Sequence, residues 1–367
     1  MANRRVRVGV VGCGLVAQVM HLHYLRELAD RFEIAAICDL SPTVLERVGQ
    51  EYGVARRFTD WRQLLAEPLD AVLVLTSGSH APIAIAAAEA RRHVFIEKPI
   101  ALSETEGREI IEAGRKAGVH LMVGYMKRYD PAVERMREEL PAFTDLRGVI
   151  TTTLESPFRP YVSHYPLVTG TDVDPAALRS LQADDDRRVG LAIPTEDPLV
   201  RRVYRRFLLD SLVHDLNLVR GLLGEPDHLE YARLAEEGVV AVFAFGKVRC
   251  VMHWVNLMDG MARYRQEFAF YSPSRRATLV FPSPFLRSMP TQLVLEAGAS
   301  DGSRAWQTVE TVSYEEAFKR ELVEFYDCIA ADREPRTTAA DGVRDVALCQ
   351  ALVTAHLNGA AMALPAT

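Results

Sequence analysis

The sequence predicts an α/β protein in two parts: a doubly wound N-terminal domain with a mostly parallel sheet, then a C-terminal α+β domain with a large open, predominantly antiparallel sheet. Three observations carry this reading. Short apolar, β-branched runs alternate with helical segments over the first third of the chain, as parallel strands covered on both faces require. A glycine-rich turn follows the first of those runs. After about residue 128 the texture changes to longer segments of alternating polarity, which suit strands with one less buried face. The length of 367 residues agrees with two domains, divided as 1–125 and 126–367.

The first strand is Val6–Val11 (VRVGVV), and it ends at Gly12-Cys13-Gly14-Leu15-Val16-Ala17. This is G-x-G-x-x-A: Gly12 makes the tight turn, Gly14 lets a pyrophosphate approach the backbone, and Ala17 lets the helix pack close to the strand. The helix that follows, to about residue 29, points its first amides at the phosphates. A second apolar run, 33–38, ends at Asp39, which lies 39 − 17 = 22 positions after Ala17. That is close to the spacing at which a carboxylate accepts hydrogen bonds from an adenosine ribose, and the two signals together are the fingerprint of a Rossmann domain. A competing role for Asp39 is to cap a helix starting near Pro42. Residue 40 is Leu, with no adjacent Arg for a 2′-phosphate, so NAD is expected in preference to NADP.

The rhythm continues with a strand at 71–75, an alanine-rich helix at 80–90, a strand at 93–96, the helix Glu104–Ala117 stopped by Gly118, and a further strand at 119–123. Ligands of such sheets bind beyond the strand C-termini, where Thr76, Ser77, Glu97 and Tyr125 fall. At one of these ends the strand HVFI runs into Glu97-Lys98-Pro99. Proline fixes φ and constrains the residue before it, so the Lys98 backbone is pinned and its ammonium aimed at the crevice.

In the second half, strands are expected at 149–154, 239–245, Val248–Asn256, 267–271, 277–281 and 293–296, and helices at 210–223, 314–331 and 341–358. These helices would cover one face of the sheet and leave the other for self-association. Residues 156–206 hold six prolines and no sustained periodicity, and are expected to form a long irregular insert: a lid, a substrate loop or a partner arm. In FLLDSLVHDLNLVRGLLG, Asp210 and His214 stand four apart, one helical turn, so a carboxylate can orient an imidazole.

Composition narrows the function. Apolar residues make up 49% and charged residues 25%, ordinary for a globular chain. With 43 basic and 49 acidic residues the net charge is −6, which gives no field for nucleic acid or anionic lipid. No window reaches the 18 or more consecutive apolar residues of a membrane span. Arg4-Arg5 before an apolar run looks like an export leader, but that run is the first strand. The five cysteines (13, 38, 250, 328 and 349) form no C-x-x-C pair, which points to reduced thiols, a cytoplasmic setting and no metal site. His21 and His23, two apart on a helix, diverge and are not expected to share a metal.

The G-x-G-x-x-A turn, Asp39, the EKP triplet 97–99, GYMKRYDP at 124–131 and D-x-x-x-H at 210–214 occur in an order that resembles the Gfo/Idh/MocA (glucose-fructose oxidoreductase / inositol dehydrogenase-like) oxidoreductase family. The resemblance runs nearly the whole chain, to DGVRDVALCQALVTAHLNG near its end. It implies hydride transfer between NAD and a secondary hydroxyl or keto group of a sugar, sugar derivative or cyclitol. It also implies a homodimer or homotetramer built through the C-terminal sheet. Lys98 would contact the nicotinamide ribose and the substrate hydroxyl, His214 would be the acid/base, and Asp210 its carboxylate partner. Met126 and Lys127 would border the substrate. Candidate coenzyme contacts are Gly12, Cys13, Gly14, Leu15, Val16, Asp39, Thr76, Ser77, His80, Glu97 and Lys98.

Two departures fall near the expected substrate pocket: Tyr204-Arg205-Arg206-Phe207 replaces a glycine-rich stretch, and 156–206 is longer than usual. Competing readings are a non-catalytic NAD-binding sugar sensor and a reductase of non-carbohydrate carbonyls, the latter calling for an apolar pocket.

Overall fold

A computed structural model describes residues 4–299 and 301–359. The first sheet contains β1 (Val6–Val11), β2 (Phe32–Cys38), β3 (Arg56–Phe58), β4 (Ala71–Val74), β5 (His93–Glu97) and β6 (Leu121–Gly124). Every neighbouring pair is parallel and the order is β3-β2-β1-β4-β5-β6, so the strand order reverses between β1 and β4. Ligand crevices of doubly wound sheets open at that reversal. Val8, Val10, Val72 and Leu73 are fully buried in the middle strands, which explains why these segments read as unbroken apolar runs.

The second sheet contains β7 (Gly148–Glu155), β8 (His228–Leu234), β9 (Gly238–Phe245), β10 (Val248–Asn256), β11 (Arg265–Tyr271), β12 (Arg275–Phe281), β13 (Gln292–Gly298) and β14 (Ala305–Thr311). Its order is β14-β13-β12-β11-β7-β10-β9-β8. The β7–β10 pair is parallel and all other neighbours are antiparallel, as expected from the alternating sequence. One face is apolar and covered: Trp254, Phe243, Phe268 and Phe270 are almost completely inaccessible, and Trp254 stacks on Phe207 with ring centroids 4.4 Å apart. Burying a side chain of that size contributes about 3 kcal/mol.

The chain then returns to the first sheet. Leu322 and Phe325 of the helix Ala317–Ala331 enter the core beside Val8, Val10 and Phe95, with Phe95 and Phe325 edge to face at 5.7 Å. Val123 N–H of β6 donates to Thr337 O at 2.9 Å, and the helix Ala339–Leu357 follows immediately. The two sheets are thereby clamped into a fixed relation, and the site between them rests on shared core. No helix among the described residues is long and apolar enough to cross a membrane.

The expectation of an irregular 156–206 is corrected. The segment contains the helices Arg159–Val162, Pro175–Ala192 and Pro198–Val203, then enters a π-helical stretch at Tyr204–Leu212. Along Pro175–Ala192 only Asp185, Val189 and Ala192 are buried, so there was little apolar stripe to detect. Its start was nevertheless encoded: Asp174 caps the helix by accepting from Ala176 N–H, and Pro175 holds the first position.

Candidate active site

The turn after β1 is built for close approach. Gly12 has φ +95°, and a Cβ there would lie 2.8 Å from the Leu75 carbonyl and Thr76 nitrogen, so only glycine fits. A Cβ on Gly14 would meet nothing within 4 Å, which leaves open space above the start of the helix. Asp39 stands at the end of β2, its Oδ2 accepting from Cys13 N–H and its Oδ1 from Ser41 N–H, both at 2.9 Å. Ser41, not Asp39, caps the helix Pro42–Glu51 by accepting from Val44 N–H, which removes the competing role for Asp39. Thr76 Oγ1 is buried without a hydrogen-bond partner. A side-chain-free bend, a carboxylate at the next strand end and an unspent hydroxyl fit a dinucleotide along this crest. His80 stands beside Thr76 with its ring turned to main chain. Its Nδ1 and Nε2 face Pro99 O at 2.7 Å and Thr76 O at 2.6 Å, so both ring nitrogens are taken by main chain and His80 ties two crest loops together.

At the end of β5, Glu97 is held from two sides: His21 Nε2 lies 2.7 Å from its Oε1, and Lys98 N–H donates to its Oε2 at 3.0 Å. Glu321, fully buried on the helix Ala317–Ala331, has both carboxyl oxygens unpartnered. One ligand-type atom from each of His21, Glu97 and Glu321 falls within 4.8 Å of the others. Burial and the neighbouring Glu97 push the Glu321 carboxyl well above its ordinary range, so it is kept as the neutral acid.

This buried knot fixes the backbone from which Lys98 projects. Lys98 Nζ donates to Asp210 Oδ1 at 2.9 Å and to Asp210 O at 2.5 Å. Burial works to lower the Lys98 ammonium, but Asp210, Glu97 and Glu155 outweigh it and hold it above the ordinary lysine value.

Asp210 is brought to Lys98, and no hydrogen bond joins it to His214. The π-helical stretch Tyr204–Leu212 passes into the α-helix Val213–Leu223 between the two residues, so the four-residue spacing spans a change of helical register. Asp210 is left largely exposed, whereas His214 is buried with its ring edge-on to Tyr125, centroids 6.0 Å apart. Its Nδ1 is sealed and unpartnered. Burial, then Lys127, then Lys98 drive the imidazole well below its ordinary value, so it is a neutral base.

Lys127, expected beside the substrate, joins this cluster, and Asp215, Glu155, Tyr264 and Gln266, which stood in none of the motifs, complete it. Asp215 is fully buried, accepting from Thr153 Oγ1 at 2.9 Å and from Gln266 Nε2. Burial lifts its carboxyl to about 6, against the pull of Lys127 and the two donors. Lys127, buried in the turn Met126–Tyr129 beside the buried Met126, is lowered to about 8 by burial, with Asp215 and Glu155 opposing and Lys98 adding to the fall. Glu155, at the end of β7, accepts from Ser211 Oγ at 2.7 Å, and Ser211 in turn accepts from Trp254 Nε1 at 2.8 Å. Tyr264 O–H donates to Gln266 Oε1 at 3.0 Å. Asp215 carried a signal, standing next to His214; Glu155 carried one as the carboxylate ending an apolar strand.

Residues 6–125 match the model described as an oxidoreductase family with an NAD-binding Rossmann fold. Over that segment the chain carries the NAD-binding Rossmann domain of the Gfo/Idh/MocA oxidoreductase family. It is 28% identical over 222 residues to a myo-inositol 2-dehydrogenase of Thermotoga maritima, a match covering 60% of this chain and 55% of that protein. The chain thus spans about half the length of that relative. It is 24% identical over 375 residues to a D-apiose dehydrogenase of Paraburkholderia graminis, covering 97% of this chain and 89% of that protein. Among solved structures, a levoglucosan dehydrogenase in complex with NADH and levoglucosan superposes with a TM-score of 0.74 at 17% identity, covering 97% and 98% of the two chains. At that identity the likeness establishes a shared two-domain fold. The glycine turn, Asp39 and Thr76 lie along one crest of this Rossmann domain, Lys98 projects from the end of β5, Lys127 from the turn after β6, and His214 from the helical run that carries Asp210.

Proposed function

We propose that the protein transfers hydride reversibly between NAD and a secondary hydroxyl or keto group of a sugar, sugar derivative or cyclitol, in the manner of an inositol dehydrogenase. One observation carries the proposal: Lys98, at the end of β5 on the NAD-type crest, donates from its ammonium to Asp210, on the same helical run as the buried imidazole of His214. When bound, the nicotinamide ring supplies the hydride acceptor.

The chain's own groups supply the rest. With Nδ1 sealed, His214 takes the hydroxyl proton at Nε2, which needs a heavy-atom approach of about 3 Å. Lys98, kept charged by its carboxylate neighbours, stabilises the oxygen as negative charge develops on it. Lys127 adds a second cation, and burial first, then Lys127, keep His214 unprotonated. Asp210 is a positioning residue that aims Lys98. Half-buried Glu155 with buried Asp215 and Gln266 makes these surroundings polar, which supports a polyhydroxylated substrate over an apolar carbonyl compound.

Assaying NAD reduction across a panel of sugars and inositols tests this. His214→Ala and Lys98→Ala should each slow turnover at least about 10²-fold while coenzyme affinity changes little. Wild-type turnover in either variant, or coenzyme binding with no turnover on any polyol, would overturn the reading.

The same reading includes self-association through the uncovered face of the second sheet. Cross-strand register lines up Tyr231, Val242, Val251, Ile150, Ala269, Thr278, Val294 and Val309 in one row over all eight strands. Within it Ile150 is 42% and Val309 55% exposed, an apolar stripe that a second copy would cover.

A further inference from the structure

The segment between β7 and the His214 helix lies along the coenzyme crest and grips it. Gln18, on the helix after the glycine turn, exchanges two hydrogen bonds with Val168: Nε2 donates to Val168 O at 2.9 Å, and Val168 N–H donates to Oε1 at 2.8 Å. Four residues further on, Asp172 reaches the start of the helix Pro42–Glu51. Its Oδ2 accepts from Thr43 N–H at 2.8 Å and from Thr43 Oγ1 at 2.7 Å, and its Oδ1 accepts from the Ser41 hydroxyl. Gly170 passes so close to Ser41 that any side chain there would collide with it. Ser41 is shared, because its N–H donates at 2.9 Å to Asp39, the carboxylate placed to read the adenosine ribose.

We propose that Asp172 is a coenzyme-specificity residue, whose carboxylate fills the anion-accepting helix start beside Asp39 and so excludes a 2′-phosphate on the adenosine ribose. The proposal rests on the NAD reading of the crest. A phosphate on the hydroxyl that Asp39 reads would be directed into the turn between β2 and the helix Pro42–Glu51. A hydroxyl, an amide and a second hydroxyl at a helix N-terminus are the donors a phosphate seeks. Here all three are already bonded to an anion, and that anion comes from a distant part of the chain. The Ser41 hydroxyl first, then Thr43, draw the Asp172 carboxyl down to about 2, so it stays ionised at any working pH. A 2′-phosphate would lose its donors and face two carboxylates. The absence of an arginine at residue 40 denies NADP an attraction, and Asp172 adds a repulsion.

The test uses the full chain, with Asp172→Ala and Asp172→Asn. Dissociation constants for NADH and NADPH are read by fluorescence, and those for adenosine 5′-monophosphate and adenosine 2′,5′-bisphosphate by calorimetry, so the readout does not depend on turnover. Wild type should prefer NADH. Asp172→Ala should tighten NADPH and the bisphosphate about tenfold while NADH changes less than about threefold, with Asp172→Asn between them. Equal changes for the two coenzymes would show that Asp172 merely tacks down its segment, and would overturn the proposal. Wild type binding NADPH as tightly as NADH would also overturn it. If wild type binds neither coenzyme, the NAD reading itself fails and takes this inference with it. NADH binding with no change in the ratio sinks the inference alone.

Discussion

Lys127 offers a direct test of whether the site trades stability for chemistry. Burial takes its ammonium from 10.5 to about 8. At about 1.4 kcal/mol per pH unit, holding the charged form inside the folded protein at pH 7 costs roughly 3 kcal/mol relative to the neutral form. The sign follows from linkage. Between pH 8 and 10.5 the unfolded lysine carries a proton that the folded one has released, so stability rises with pH through that window. Lys127→Met keeps the apolar stem and removes the charge. The variant should be at least as stable as wild type at pH 7, and its stability should not rise between pH 8 and 10.

Asp215 sharpens the contrast. Lys127 lowers the Asp215 carboxyl, so without the lysine that carboxyl climbs further above its present value of about 6. A folded carboxyl raised in this way loses stability as pH rises through its folded value, which turns the variant's curve flat or downward. The assay is urea denaturation at closely spaced pH values from 6 to 10.5, read as wild type minus variant. Turnover on the best polyol should meanwhile fall at least about tenfold if, as proposed, Lys127 is one of the two cations that stabilise the developing alkoxide. A difference curve independent of pH, or a variant several kcal/mol less stable at pH 7, would refute the assignment of a costly buried ammonium.

The neutral state of Glu321 predicts that Glu321→Gln is tolerated to within about 1 kcal/mol, whereas Glu321→Ala, which opens a cavity behind Glu97, costs about 2 to 4 kcal/mol by thermal or chemical denaturation. If Gln behaves like Ala and a chelator lowers the wild-type melting temperature, His21, Glu97 and Glu321 hold a metal and the neutral-acid assignment fails. For self-association, Ile150→Asp in the exposed apolar row should shift the protein to a smaller species by light scattering while leaving coenzyme affinity unchanged; an unaltered mass would discard that face as an interface.

The sequence disclosed the inner strands of both sheets and the buried edge strand β6, and hid the other three edges. β3, β8 and β14 were not read, and each is an edge strand. Arg56–Phe58 is only three residues long, His228–Leu234 mixes charges with apolar positions, and Ala305–Thr311 is exposed at nearly every residue. An edge strand covered on few sides leaves little apolar pattern, so its identity lies in the neighbour that pairs with it. The site was legible in the same uneven way. Gly12, Asp39, Lys98 and His214 stand in motifs with fixed spacing; the first three lie at strand ends and His214 within the helical run that carries Asp210. The partnership of Asp210 with Lys98 was not legible, because it joins residues 112 positions apart and depends on where a helix changes register. Glu155, Tyr264 and Gln266 arrive through long-range sheet pairing, which no local pattern announces.

The two departures from the family pattern meet in three dimensions, which argues that they act together. Tyr204, where a glycine-rich stretch was expected, donates its hydroxyl to Leu102 O at 2.8 Å, and Phe207 stacks on Trp254. Arg205 binds Asp185 at 2.6 Å and Asp186 at 3.0 Å on the insert helix Pro175–Ala192. Asp185 also accepts from Ser79 N–H at 3.0 Å, on the crest loop after β4, and Gly78 is packed so close that a Cβ there would lie 2.5 Å from the same carboxylate. The helix that carries His214 is therefore tied through Arg205 and Asp185 to a loop of the coenzyme crest. Replacing Asp185 by Ala would cut both the tie to the Ser79 loop and the tie to the helix that carries His214, so under the proposed function it should affect coenzyme affinity and turnover together, and an effect on neither would separate the insert from the site.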